Sequence, residues 1–270
     1  MTRYPLCAID LDDTLLDSDH RISDRNLRAV RAADELGVNV IIASGRMHES
    51  TVPYVNQLGL STPVISYNGA MVRLPNGTET WLHKQIPAED AATVLEFCRQ
   101  KRLQLNFYLN DCLYSAEYTG WLRLYYERTH SPIEIVPDFY DRLNGERPTK
   151  LIIVDSPEVT ARLLETFRAT LGNRLYITRS NDEYLEFMPL DADKGRALEM
   201  VANHLGISRD GTVAFGDSWN DLPMIRWAGL GIAVSNGRPE LLQAADEVTL
   251  SNRQDGVAVG LERLYGVGRK

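Results

Sequence analysis

Nowhere in these 270 residues do ~20 apolar residues run together, the length that a membrane-spanning helix needs. Cysteine is scarce. Cys7, Cys98 and Cys112 are far apart and odd in number, which excludes a disulfide framework, and no C-x-x-C pair offers metal spacing. Cys7, inside an apolar run, reads as a small buried thiol. Positive charge is also in short supply. The net charge is −8 and no segment gathers Lys and Arg, so neither nucleic acid nor a membrane surface is an expected partner. Any anionic substrate would have to be drawn in locally, by a metal or a few placed cations. The five histidines, His20, His48, His83, His130 and His204, form no H-E-x-x-H pair, which argues against zinc. The opening Met1-Thr2-Arg3-Tyr4-Pro5 leads into only a short apolar stretch, unlike a signal peptide, and the expected setting is a reducing cytoplasm.

What is present is an alternation. Leu6 to Ile9 reads as a buried strand, and Ser23 caps a helix whose apolar positions are Leu27, Val30, Ala33 and Leu36, ended by Gly37. Val38 to Ala43 is a second strand, Ser50 to Leu58 a short helix, and Pro63 to Ser66 a third strand. That order implies a parallel sheet with right-handed crossovers. Asn76-Gly77 then marks a hairpin. Beyond it the rhythm changes to clustered strands and few helices, among them a helix opened by Ser156-Pro157 and running to Leu171. After Pro189 the strand–helix alternation resumes, with one helix over about Asn220 to Trp227, and continues to Tyr265. The expected class is α/β: a doubly wound parallel sheet over residues 1–83 and 189–270, interrupted by an inserted α+β unit over 84–188.

Chemistry-bearing residues gather where strands end. The first strand runs into Asp10-Leu11-Asp12-Asp13-Thr14-Leu15, and open α/β sheets bind ligands at the carboxyl ends of their strands. Asp10 and Asp12 fall on one side of an extended chain, and two close carboxylates need a cation or a shared proton. A nucleophile (Asp10) beside a general acid/base (Asp12) fits this pattern, as does an ordinary Asp-rich turn. Gly216-Asp217-Ser218-Trp219-Asn220-Asp221 follows another strand, at Thr212 to Phe215. Magnesium takes oxygen ligands, typically one or two carboxylates plus phosphate and water, and Asp10 with Asp217 would supply such a half-cage. Ser218 and Asp221 also fit a capping box. Ser44-Gly45-Arg46 ends the second strand, where Ser44 and the following N–H groups could hold phosphate oxygens or simply make a turn. Lys194 opens a helix, where a cation opposes the dipole, and Gly195 is a poor helix former. That local conflict favours a functional lysine.

Taken together, the order and placement of these four sites resemble the haloacid dehalogenase superfamily. Within it the chain is similar to the Cof-type phosphatases, which carry a large α/β cap after the third core strand. The resemblance implies that Asp10 becomes an aspartyl-phosphate and that Asp12 protonates the leaving alcohol and later deprotonates water. It further implies Ser44 and Lys194 as partners of the phosphoryl oxygens. Magnesium would be held by Asp217, Asp10 and the Asp12 carbonyl, with Asp221 as a supporting carboxylate. Gly45, Arg46, Asn220 and the pair Asn68-Gly69 would border the phosphate and the substrate. Asp13 departs from the glycine more usual there, and Asp193 from a small polar residue; neither removes a catalytic group.

The implied activity is hydrolysis of a phosphate monoester of a small metabolite, a sugar phosphate first, by a monomer or homodimer. Three other readings stand beside it: a phosphomutase or phosphotransferase on the same scaffold, a non-catalytic phosphometabolite sensor, and a receiver-type signalling domain. The intact catalytic set disfavours the sensor, and an insert of ~100 residues disfavours the receiver. The aromatic group Tyr108, Tyr114, Tyr118, Trp121, Tyr125 and Tyr126 reads as core of the inserted unit, and His48 as either a solvated loop residue or a substrate contact.

Overall fold

The computed structural model describes residues 2–129 and 131–268, so His130 lies outside the described residues. The chain divides into two compact units, one formed by Met1–Leu82 with Asp193–Lys270 and the other by His83–Ala192.

The discontinuous unit holds strands β1 (Leu6–Asp10), β2 (Asn39–Ala43), β3 (Val64–Ser66), β4 (Met71–Arg73) and β5 (Thr80–His83), with helices α1 (Asp24–Glu35) and α2 (His48–Leu58) between them. Its eight-stranded sheet has the order β14-β13-β12-β1-β2-β3-β4-β5, where β12 is Thr212–Gly216, β13 Leu230–Val234 and β14 Glu247–Thr249. From β14 to β3 neighbouring strands are parallel; β4 turns back antiparallel after a tight bend at Tyr67–Gly69. Both faces of the sheet are buried, as alternation along β1 shows. Cys7 and Ile9 join one apolar layer with residues of α1 and of α10 (Gly256–Tyr265). Leu6 and Ala8 join the other, with α7 (Lys194–His204), α8 (Leu222–Trp227) and α9 (Pro239–Ala244). A strand buried on both faces needs a nearly continuous apolar run, and Leu6-Cys7-Ala8-Ile9 supplies it. The doubly wound core expected from the sequence is therefore present.

The second unit contains α3 (Ala88–Lys101), β6 (Gln104–Leu109), β7 (Cys112–Ser115), α4 (Gly120–Thr129), β8 (Ile133–Ile135), α5 (Phe139–Arg142), β9 (Lys150–Val154), α6 (Pro157–Leu171), β10 (Leu175–Asn181) and β11 (Tyr184–Pro189). Its six strands run β10-β11-β9-β6-β7-β8, antiparallel except for the last pair. Phe107, Leu151, Leu185 and Phe187 pack with residues of α3 and α6 into one separate core. Among the aromatics expected there as core, Tyr108 and Tyr125 are buried, whereas Tyr118 and Tyr126 are exposed. No helix among the described residues is long and apolar enough to cross a membrane.

Local signals explain most boundaries. Ser23 caps α1, its Oγ accepting the Asn26 N–H at 3.1 Å, and Ser156 caps α6 with Pro157 as its first residue. Two expectations differ. Leu36, read as an inward position of α1, is 53% exposed because the helix has already ended at Glu35. The helix read from Asn220 begins instead as a tight turn at Trp219–Asp221, with α8 starting at Leu222.

Candidate active site

Register brings four strand ends together. β1 lies between β12 and β2, with Ile9 opposite Phe215 and Asp10 opposite Ala43, and Ala43 in turn opposes Ile65 of β3. Asp10, Asp217, Ser44 and Asn68 therefore leave neighbouring strands at the same edge. Asp10 is 4% exposed.

Lys194 joins this edge from the first turn of α7. It is fully buried, and its ammonium donates to Asp10 Oδ1 at 2.5 Å and to Asp221 Oδ1 at 2.6 Å. A lysine without exposure must be paired, and two carboxylates pair it. Gly195 has its own steric reason. A Cβ there would sit 2.6 Å from the carbonyl carbon of Pro223, so the residue must be glycine for α7 to lie against α8. The poor helix former thus reflects helix packing, while the lysine beside it is drawn in by charge. Gly69 is similar: its φ is 94° and a Cβ would meet the Asp193 carbonyl oxygen at 2.2 Å.

Asp221 is fully committed. Besides Lys194 on Oδ1, its Oδ2 accepts the N–H groups of Asp217 and Ser218, each at 3.0 Å. These bonds shape the loop that presents Asp217, whose own Oδ1 accepts from the Thr14 hydroxyl at 2.9 Å. Asp10 Oδ2 accepts no hydrogen bond among the described residues. Oxygens of Asp10, Asp217 and Asp221 lie within 4.8 Å of one another. Three carboxylates and one ammonium leave an excess of buried negative charge. Burial first, then Asp221, pushes the Asp10 carboxyl well above its usual range. Burial and Asp221 likewise raise Asp217 to about 7, against the opposing pull of Thr14 and Lys194. Burial alone would lower the lysine, but Asp10 and Asp221 more than reverse this and raise it. Carboxylates strained upward in this way, with oxygen donors only, fit a hard divalent cation such as magnesium.

Around this centre, Ser44 is fully buried, its N–H donating to Ile65 C=O at 2.8 Å. The Arg46 N–H turns back to Ser44 Oγ at 3.1 Å, and the Arg46 guanidinium reaches Asp12 rather than lying in solvent. Gly45 packs on Asn68, since a Cβ there would sit 2.8 Å from Asn68 Oδ1. Asn220 Nδ2 donates to the same Asn68 oxygen at 3.0 Å, joining two loops. Asp12 does not share the acidic cluster by its carboxylate; that group faces Arg46. His48 is buried as the first residue of α2, which excludes the solvated alternative, and burial followed by Arg73 lowers its pKa. Thr14, His20, Tyr54 and Asn236 were not singled out by sequence. Thr14 alone carried a signal, as the threonine of D-x-D-x-T; Asn236, whose Nδ2 donates to Asp13 C=O at 2.8 Å, carried none.

A family model described as haloacid dehalogenase-like hydrolase matches residues 7–261. The chain belongs to this family. Among the relatives of these hydrolases, YxeH of Bacillus subtilis strain 168, provisionally named a phosphatase, is 30% identical over 97% of this chain and 98% of its own. The 5-amino-6-(5-phospho-D-ribitylamino)uracil phosphatase YitU of the same organism is 27% identical over 98% and 99%. The crystal structure of TM0651 from Thermotoga maritima superposes with a TM-score of 0.90 at 31% identity, covering 96% of this chain and 97% of that one. These matches support the Cof-type branch of the haloacid dehalogenase-like hydrolases.

Proposed function

We propose that this chain is a magnesium-dependent phosphatase that hydrolyses a small phosphate monoester through a phosphorylated Asp10. The observation that carries the reading is the cluster of buried Asp10 and Asp221 with half-buried Asp217, beside Lys194 at the carboxyl edge of the parallel sheet. Asp10 and Asp217 would hold the cation, with the Asp12 carbonyl, while Asp221 acts through Lys194 and the loop N–H groups. A bound magnesium ion would neutralise the carboxylates and the phosphoryl oxygens together.

The protein's own groups then act in order. Lys194 holds one Asp10 oxygen, leaving Oδ2 available to attack phosphorus. The bond from phosphorus to the leaving oxygen breaks, and Asp12 gives that oxygen a proton. Water next attacks the same phosphorus, Asp12 takes its proton, and inorganic phosphate leaves with Asp10 regenerated. Ser44 and Lys194 serve the equatorial oxygens, where phosphoryl transfer needs positioning and charge stabilisation. Gly45, Arg46, Asn68, Gly69 and Asn220 border the substrate. We assign substrate choice to the unit near 84–188, as a cap, and a phosphorylated sugar or polyol as the substrate class. The YitU name, which carries a phosphoribityl group, supports that class.

Phosphate release from p-nitrophenyl phosphate is the test. Magnesium should support it, EDTA should abolish it, and added magnesium should restore it. Activity that survives full chelation would contradict the metal role.

A further inference from the structure

Asp12 is the proton carrier in the reading above, yet both of its oxygens are engaged. Arg46 Nε donates to Oδ2 at 2.8 Å and Nη2 to Oδ1 at 2.5 Å, a two-point pair of planar groups. The guanidinium is held from several sides. Its Cζ lies 5.2 Å from the centre of the Tyr54 ring, and Nη1 reaches the Tyr54 hydroxyl at 3.4 Å. His20 Nδ1 lies 3.3 Å from Nη2 and 3.7 Å from Asp12 Oδ1. The backbone of Arg46 is pinned too, its N–H on Ser44 Oγ and its C=O accepting from Tyr67 N–H at 2.8 Å. The arginine side chain is 19% exposed, whereas that of Asp12 is 40% exposed. The fixed member of the pair is therefore the arginine, and the carboxylate is the member at the open side.

A carboxylate at the end of a turn has two free torsions, and a proton transfer requires one oxygen at hydrogen-bond distance from the leaving oxygen. Something must fix its plane. Asp13, the next residue, takes a left-handed backbone (φ 57°), so the loop alone does not fix Asp12 as an extended strand would. We propose that Arg46 is a positioning residue for Asp12: anchored by Tyr54 and His20, it sets the direction of the carboxylate from which the proton is delivered. This rests on the phosphatase reading. In it, Arg46 acts on the bond to the leaving group, which distinguishes it from a residue that merely grips the phosphate.

A series of phosphate monoesters, from p-nitrophenyl to simple alkyl leaving groups, separates the two roles. Loss of proton delivery penalises poor leaving groups, so Arg46→Gln should lower kcat/KM for alkyl esters by about 10²-fold more than it does for p-nitrophenyl phosphate. Asp12→Asn should steepen the series in the same way, and adding Arg46→Gln to it should cost alkyl esters no more than about a further threefold, since both changes remove one function. Arg46→Lys, which keeps the charge but not the two-point geometry, should give an intermediate slope and serves if the glutamine variant does not fold. A loss of equal size for every ester, with the slope unchanged, would overturn the proposal, because direct phosphate binding or lost folding acts uniformly. A wild-type protein inactive on every ester would overturn the phosphatase reading along with it.

Discussion

Lys194 sets the charge balance of the site. Its ammonium lies between Asp10 and Asp221 with no exposure to water, so removing it leaves two buried carboxylates facing each other. Lys194→Met should destabilise the metal-free protein by about 3–5 kcal/mol, read as a lower thermal midpoint, with turnover lost as well. Asp217 makes a second prediction at this scale. Its carboxyl is raised from 3.8 to about 7, so between those values the folded metal-free protein binds a proton that the unfolded chain does not. Stability should therefore fall as pH rises through that window, and magnesium, which competes with the proton, should bind more tightly as pH passes 7. Calorimetric titration at several pH values checks the sign; affinity independent of pH would contradict it. The motif residues Asp10, Asp217 and Lys194 were legible in sequence because strand ends and a misplaced cation mark them. The bonds from Arg46 to Asp12, Thr14 to Asp217 and Asn220 to Asn68 were not. They depend on side-chain torsions and on loops crossing from different strands, which no local pattern records.

At the scale of elements, α7 shows packing overriding propensity. Alanine is better than glycine in a helix by about 1 kcal/mol in isolation. At Gly195 the added Cβ would fall 2.6 Å from Pro223, so Gly195→Ala should destabilise instead, and the shift of α7 should carry Lys194 away from Asp10. A thermal midpoint and kcat measured together test this; a stabilised, fully active variant would refute the packing argument. Long elements with caps were readable, as α6 shows by beginning at Pro157 and ending at Leu171. The strand Ile133–Ile135 and the helix Phe139–Arg142 were not. Three or four residues are too few for a period to appear, and the strand has no fully buried position.

For the whole molecule, the chain leaves its parallel-sheet unit after Leu82 and re-enters it at Asp193. From sequence, a break in rhythm is expected after the Asn76-Gly77 hairpin and a return after Pro189, on the ground that parallel strands buried on both faces read differently from antiparallel ones. The identity of the substrate was not legible there, since substrate choice depends on side-chain directions that no sequence pattern records. Every role assigned above depends on one division of labour, with Asp10 as the attacking group and Asp12 as the proton carrier. Asp12→Asn should slow hydrolysis of alkyl phosphates by ~10²–10⁴-fold while leaving the attacking oxygen in place. Treated with magnesium and beryllium fluoride or an acyl phosphate, that variant should carry the adduct on residue 10, visible by mass spectrometry or in a crystal. An adduct on any other carboxylate, or full turnover by Asp10→Asn, would contradict the account.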